Sequence, residues 1–137
     1  MAKIILLATL SIDGYLAKRE DALQWWLHPE KYEISKIRDN ASCMVSEETS
    51  FECLKKEARK KDGKTYLIEG RPELIDMINK ALKCNLINEM IIYRIPLLAG
   101  GEHLLFKSQK VPSHWMLKEK KNYDANVERL VYHNREF

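Results

Sequence analysis

Residues 88–106 read Asn-Glu-Met-Ile-Ile-Tyr-Arg-Ile-Pro-Leu-Leu-Ala-Gly-Gly-Glu-His-Leu-Leu-Phe. The first half is a dense apolar run with β-branched residues, the pattern of a strand buried on both faces. Pro96 lacks an N–H donor and so ends the regular ladder. Gly100 and Gly101 permit a sharp turn, after which residues 104–106 return to apolar surroundings. A core strand over residues 88–96, closed by proline and followed by a Gly-Gly turn, narrows the fold more than any other part of the chain.

The elements around this strand alternate in type. Residues 3–10, Lys-Ile-Ile-Leu-Leu-Ala-Thr-Leu, read as a first central strand. They are short for a signal-peptide core, and no small-residue cleavage site precedes the turn that follows. Ser11-Ile-Asp-Gly-Tyr is that turn, with Asp13 and Gly14 supplying a side-chain bond and a positive φ. Residues 21–28, with Trp25 and Trp26, predict a short helix that Pro29 interrupts, and residues 30–39 predict a helix with Ile34 and Ile37 inward. Residues 41–45 form a short strand. Thr49-Ser-Phe-Glu52 fits a capping box with Thr49 as the cap, and Phe51, Leu54 and Ala58 then share one face. Lys60, Lys61 and Gly63 suit the end of that helix. Residues 64–69 are a strand, and Gly70-Arg71-Pro72 opens a second amphipathic helix whose inner face is Leu74, Ile75, Ile78, Ala81 and Leu82. Residues 114–123 and 126–134 alternate polar with apolar and form an antiparallel pair. Strands alternating with helices, then a terminal hairpin, predict one α/β domain over residues 1–137 with a mostly parallel sheet.

The totals exclude several function classes. A net charge of +3, with basic and acidic residues interleaved along the chain, gives no basic stripe, so no nucleic-acid partner is expected. No apolar run approaches the ~18 residues of a membrane span. Three cysteines, an odd number without metal-ligand spacing, read as reduced thiols in a cytoplasmic protein, with Cys43 and Cys53 expected to be buried. The four histidines are scattered without zinc-type spacing, so no metal is expected; His103, beside the Gly-Gly turn, is the one worth locating. Ser11, Ser46 and Ser50 lack nucleophile-elbow glycines.

Two motifs carry a family resemblance. The first is Leu10-Ser11-Ile12-Asp13-Gly14-Tyr15-Leu16-Ala17 after the opening strand, followed by Trp26-Leu27. The second is Leu86-Ile87-Asn88-Glu89 leading to Pro96-Leu97-Leu98-Ala99-Gly100-Gly101 and Leu105-Phe106. Together they resemble the dihydrofolate reductase superfamily, most of all the reductase domain of bacterial riboflavin biosynthesis enzymes. The resemblance implies a three-layer α/β domain with C-terminal antiparallel strands. One βα unit is missing, because Lys60-Lys61-Asp62-Gly63 runs straight into Lys64. It implies NADPH as cofactor and a pterin- or pyrimidine-like ring as the small-molecule substrate. It also implies a homodimer, which would cover the sheet edge exposed by the lost unit. Asp13 would orient the ring as the catalytic residue, with Ser11, Gly14 and Trp26 on the substrate side. Thr49, Ser50, Gly70, Arg71, Gly100 and Gly101 would meet the cofactor.

The phosphate-holding motifs depart from the family. Glu47 and Glu48 stand where the family has a glycine and a cation, and two carboxylates repel phosphate. Glu69 replaces the first glycine of a phosphate loop, and Pro72 removes one N–H donor. Hydride transfer asks the protein only to orient cofactor and substrate and to exclude water. Two readings therefore stay open: a reductase, or a non-catalytic descendant that keeps the fold as a ligand-binding or assembly module.

Overall fold

In the computed structural model, residues 2–17, 32–98, 103–107, 113–123 and 126–135 are described. The chain forms β1 (Lys3–Leu10), α1 (Ile34–Asp39), β2 (Cys43–Met44), α2 (Phe51–Ala58) and β3 (Thr65–Glu69). After a single 3₁₀ turn at Pro72–Leu74 come α3 (Ile75–Lys83), β4 (Glu89–Arg94), β5 (Trp115–Asn122) and β6 (Glu128–Asn134). The strands make one sheet in the order β2-β3-β1-β4-β6-β5. Its first four strands are parallel, and β6 and β5 are antiparallel. The α/β expectation is met, including the direct run from α2 to β3 through residues 59–64.

β4 occupies the middle of the sheet as its apolar run predicts. Met90 and Ile92 point into one core, and Ile91 and Tyr93 into the other. The larger core lies under α2 and α3, where Leu54, Ile68, Ile78 and Ile87 are almost wholly enclosed. Each such side chain contributes about 1.5–3 kcal/mol relative to an exposed one. Leu105 is fully buried in this core, while its neighbours Leu104 and Phe106 stay partly exposed. Asn79 fixes that return: its Nδ2 donates to the Leu105 carbonyl at 2.8 Å, and its Oδ1 accepts from the Lys107 N–H at 3.0 Å.

Three local expectations are corrected. The cap of α2 is Ser50, whose Oγ accepts from the Cys53 N–H at 3.1 Å; Thr49 instead accepts from the Ser46 N–H at 3.2 Å, in the turn before the helix. Both residues carry a hydroxyl, and register alone decides which one meets the helix. Cys43 and Cys53 are exposed, as is Cys84. Cys43 lies on the two-residue edge strand, and Cys53 lies on the outer side of α2, where a period of 3.6 separates it from Leu54. The helix predicted over residues 30–39 starts only at Ile34, because Glu33 adopts a left-handed conformation with φ 65°. The helix expected at residues 21–28 and its tryptophans lie outside the described residues.

Glu33 anchors the start of α1 to the antiparallel half of the sheet. Its carboxylate accepts from Lys121 Nζ and from Arg129 Nη1, the latter at 2.9 Å. Those two cations, Lys121 first, hold the carboxyl down at about 2. Arg129, nearly buried, also donates to Glu119, and the Tyr93 hydroxyl donates to the Tyr32 carbonyl. A non-glycine residue in this region costs on the order of 1–2 kcal/mol, and these contacts offset it.

Both sheet edges are blunted. β2 is two residues long. β5 is interrupted between Leu117 and Glu119, where Lys118 is the extra residue opposite β6, and it carries Lys120 and Lys121 beyond. Short strands, bulges and lysines are the usual protections against edge pairing.

Candidate active site

The parallel strands bring the C-terminal ends of β2, β3, β1 and β4 to one edge, where ligands of such sheets bind. The loop after β1 is built there from its own side chains. Ser11, 2% exposed, donates its hydroxyl to the Asp13 carboxylate and accepts from the Tyr15 N–H at 3.1 Å. Gly14 has φ +86°, a conformation that costs other residues energy. The loop is tied down on two sides. Ile12 N–H donates to the Leu97 carbonyl at 2.8 Å, and Leu16 N–H donates to the His103 carbonyl at 2.8 Å. His103 thus contributes backbone to the loop. Ser11, Asp13 and Gly14 come together as the motif predicts, whereas Trp26, Gly100 and Gly101 lie outside the described residues.

The predicted cofactor residues divide into two groups. Thr49 and Ser50 sit after β2; Thr49 accepts from the Ser46 N–H and lies 3.5 Å from the Ser46 hydroxyl, and Ser50 accepts from the Cys53 N–H. Around them Glu47, Glu48 and Glu52 are exposed and have no cationic partner among the described residues. Gly70 and Arg71 sit after β3. A Cβ on Gly70 would lie 2.8 Å from Ala8 Cβ and 3.1 Å from Leu16 Cδ2, so glycine is required there by the chain's own packing. Gly70 N–H donates to the Leu7 carbonyl at 2.7 Å. Arg71 is exposed, and its guanidinium has no partner among the described residues.

Sequence reasoning missed the partner of Glu69. Arg38, at the end of α1, forms an ion pair with it through Nε. The two residues are 31 apart in sequence, and nothing local links them. The carboxylate expected to oppose a phosphate is therefore compensated, and Arg71 is left as the surplus cation on the β3 side.

A cavity of about 330 Å³ opens beside the Asp13 loop, lined by Ile12, Arg94, Ile95, Pro96, Asn126 and Glu128. Its volume is at the small end of the range for small-molecule sites. Arg94 Nε donates to Glu128 Oε1 at 2.9 Å, and Lys120 Nζ lies 3.1 Å from Oε2. Arg94 foremost, then Lys120, holds the Glu128 carboxyl below its ordinary range. The cavity is thus apolar on the side of residues 12, 95 and 96 and charged on the other. Arg94 and Glu128 carry no sequence signal, because strand register alone pairs them.

By its sheet order and layers the chain has the dihydrofolate-reductase-like fold, and solved structures agree. A Shewanella sp. PV-4 protein described as belonging to riboflavin biosynthesis matches with TM-score 0.65 and 19% identity, over 97% of this chain and 99% of that one. A Thermotoga maritima diaminohydroxyphosphoribosylaminopyrimidine deaminase/5-amino-6-(5-phosphoribosylamino)uracil reductase matches with TM-score 0.63 and 9% identity, over 96% of this chain and 56% of that one. Dihydrofolate reductase from Enterococcus faecalis, in complex with NADP(H), matches with TM-score 0.63 and 10% identity, over 97% and 96%. At these identities the likeness is one of fold. No protein-family model and no curated protein matches the sequence.

Proposed function

We propose that this protein is a reductase that passes hydride from NADPH to a pterin- or pyrimidine-like ring at the C-terminal edge of the sheet. The observation that carries the reading is the charge arrangement after β3: Arg38 compensates Glu69 and leaves Arg71 free to meet a phosphate. The hydroxyls of Thr49 and Ser50, at the turn into α2, are placed for the same purpose, and Gly70 is the packing residue that sets Arg71 in place. On the substrate side, the carboxylate of Asp13, held by Ser11, orients the ring, and Gly14 gives the loop its shape. The solved dihydrofolate reductase that matches this fold holds NADP(H), which lends the cofactor its support. Trp26, Gly100 and Gly101 belong to the proposal on the resemblance alone.

The test follows loss of reduced-nicotinamide absorbance with candidate pterin and pyrimidine substrates, for the wild type and Asp13→Asn. Turnover that falls by at least ~10²-fold in the variant, with its fold intact, is expected for the orienting group. Equal turnover in both would remove Asp13 from the mechanism. A homodimer belongs to the same reading. Sedimentation of the pure chain should give twice its 16.1 kDa, and a monomer at working concentration would remove it.

One observation favours the second reading, a non-catalytic ligand-binding or assembly module. Glu47, Glu48 and Glu52 stand uncompensated at the start of α2, where an anion would otherwise be welcomed. Glu47→Gly with Glu48→Arg separates the two readings. If charge alone weakens the cofactor, the double variant binds NADPH more tightly than the wild type; if the module has lost the cofactor altogether, neither binds.

A further inference from the structure

The charges that interleave along the sequence separate in space. α2 and α3 are crossovers between parallel strands, so both run from the C-terminal edge of the sheet back to the N-terminal edge, and they pack against each other. Glu47, Glu48, Glu52, Glu73 and Asp76 gather at their starts. Arg59, Lys60, Lys61 and Lys64 follow the end of α2, and Lys80 and Lys83 close α3; all six are exposed. Among the described residues two carboxylates lie on this pole: Glu57 is paired with Lys60, and Asp62 is bound to a backbone N–H and keeps its charge, so the cations outnumber them. Glu57 accepts from Lys60 Nζ at 2.8 Å and from the Tyr66 hydroxyl at 2.8 Å, and Asp62 accepts from the Lys64 N–H at 3.0 Å.

Three features give the pole meaning beyond a solvated surface. The loop is held in place: Ala2 N–H donates to the Lys60 carbonyl and Lys3 N–H to the Lys64 carbonyl, each at 2.9 Å, and Gly63 turns the chain with φ +71°. The helix dipole does not account for the loop's cations, because its effect fades within the last turn, which Lys55 and Lys56 already supply. Finally, the large apolar side chains exposed among the described residues are Ile12, Met44, Leu98, Leu104, Phe106, Met116 and Leu117, and none is on this pole. A protein interface needs an apolar centre and a membrane-seated helix needs an apolar face. A phosphate backbone needs neither.

We propose that this basic pole binds the phosphate backbone of a nucleic acid, without reading bases. The proposal runs against the expectation drawn from interleaved charges, because α2 and α3 sort those charges to opposite ends. It stands apart from the reductase site, at the opposite edge of the sheet.

The test measures fluorescence anisotropy of a short labelled DNA duplex with the full chain, at about 50 and about 200 mM salt. Binding is expected at the lower salt, weakening by about 10²–10³-fold at the higher, as a handful of phosphate contacts requires. Lys61→Glu with Lys64→Glu should abolish binding. Lys36→Glu with Lys118→Glu, the same charge change on exposed residues of α1 and β5 away from this pole, should leave most of it. Lys80→Glu with Lys83→Glu is the second variant should the loop variant fold poorly, and it should weaken binding at least tenfold. No binding at the lower salt would overturn the proposal, and so would equal losses in the pole and control variants. Retention on phosphatidylserine vesicles under conditions where the duplex is not bound would also overturn it.

Discussion

Gly70 has no room for a side chain. The 2.8 Å approach of a built Cβ to Ala8 is a contact with a neighbouring central strand, so relief requires the strands to part. Gly70→Ala should therefore cost about 1–3 kcal/mol of stability, the ordinary range for overpacking. Urea unfolding measures it, and a loss below about 0.5 kcal/mol would deny the packing role. The neighbouring charges make a second residue-level claim. If Arg38 offsets Glu69 so that Arg71 can meet a phosphate, Arg38→Ala should weaken NADPH binding by about two- to fivefold, the scale of an exposed ion pair. Isothermal titration reads the change directly. Asp13 and Gly14 were legible from sequence because an Asp-Gly turn is local chemistry. Arg38 was not, because its partner is brought to it only by α1 crossing the sheet.

At the level of single elements, helix ends are where local pattern and structure part. Ser50→Ala should cost about 1 kcal/mol, the usual value for a lost cap, and Thr49→Ala clearly less. Equal losses would return the cap to the position the capping-box pattern favours. α1 poses a different question, because its start rests on an ion pair formed across the sheet. The Glu33 carboxyl sits at about 2, against 4.5 for the free group. A depressed acid contributes stability that is present above the unfolded value and lost as pH falls through the folded one. Wild-type stability should thus decline between about pH 4.5 and pH 2 through this group, and Glu33→Gln should flatten that part of the profile. An unchanged profile in Glu33→Gln would mean the pair does not hold α1. The antiparallel strands and both crossover helices were legible in the sequence because periods of 2 and 3.6 are written in it. The left-handed turn at Glu33 was not, since the groups that hold its carboxylate, Lys121 and Arg129, lie on β5 and β6.

For the whole molecule, burial accounts for the order of the layers. β4, apolar on both faces, takes the centre with β1, while the half-polar β5 is left at the edge. The same architecture sends acidic residues to one end of α2 and α3 and basic residues to the other. A linear charge pattern could not reveal that sorting, because it depends on the direction of each crossover. The fold therefore came through the sequence well, and the site only in its loop geometry. The reductase reading rests on whether the edge carrying Arg71 still accepts a dinucleotide. Thermal unfolding of the pure chain across an NADPH titration asks this most directly. Ligand at about 100 times its Kd should stabilise the fold by about 2.7 kcal/mol, and Arg71→Ala should need about 10- to 100-fold more NADPH for the same shift, the scale of a lost charge-assisted hydrogen bond. No shift in the wild type at millimolar NADPH would contradict the account.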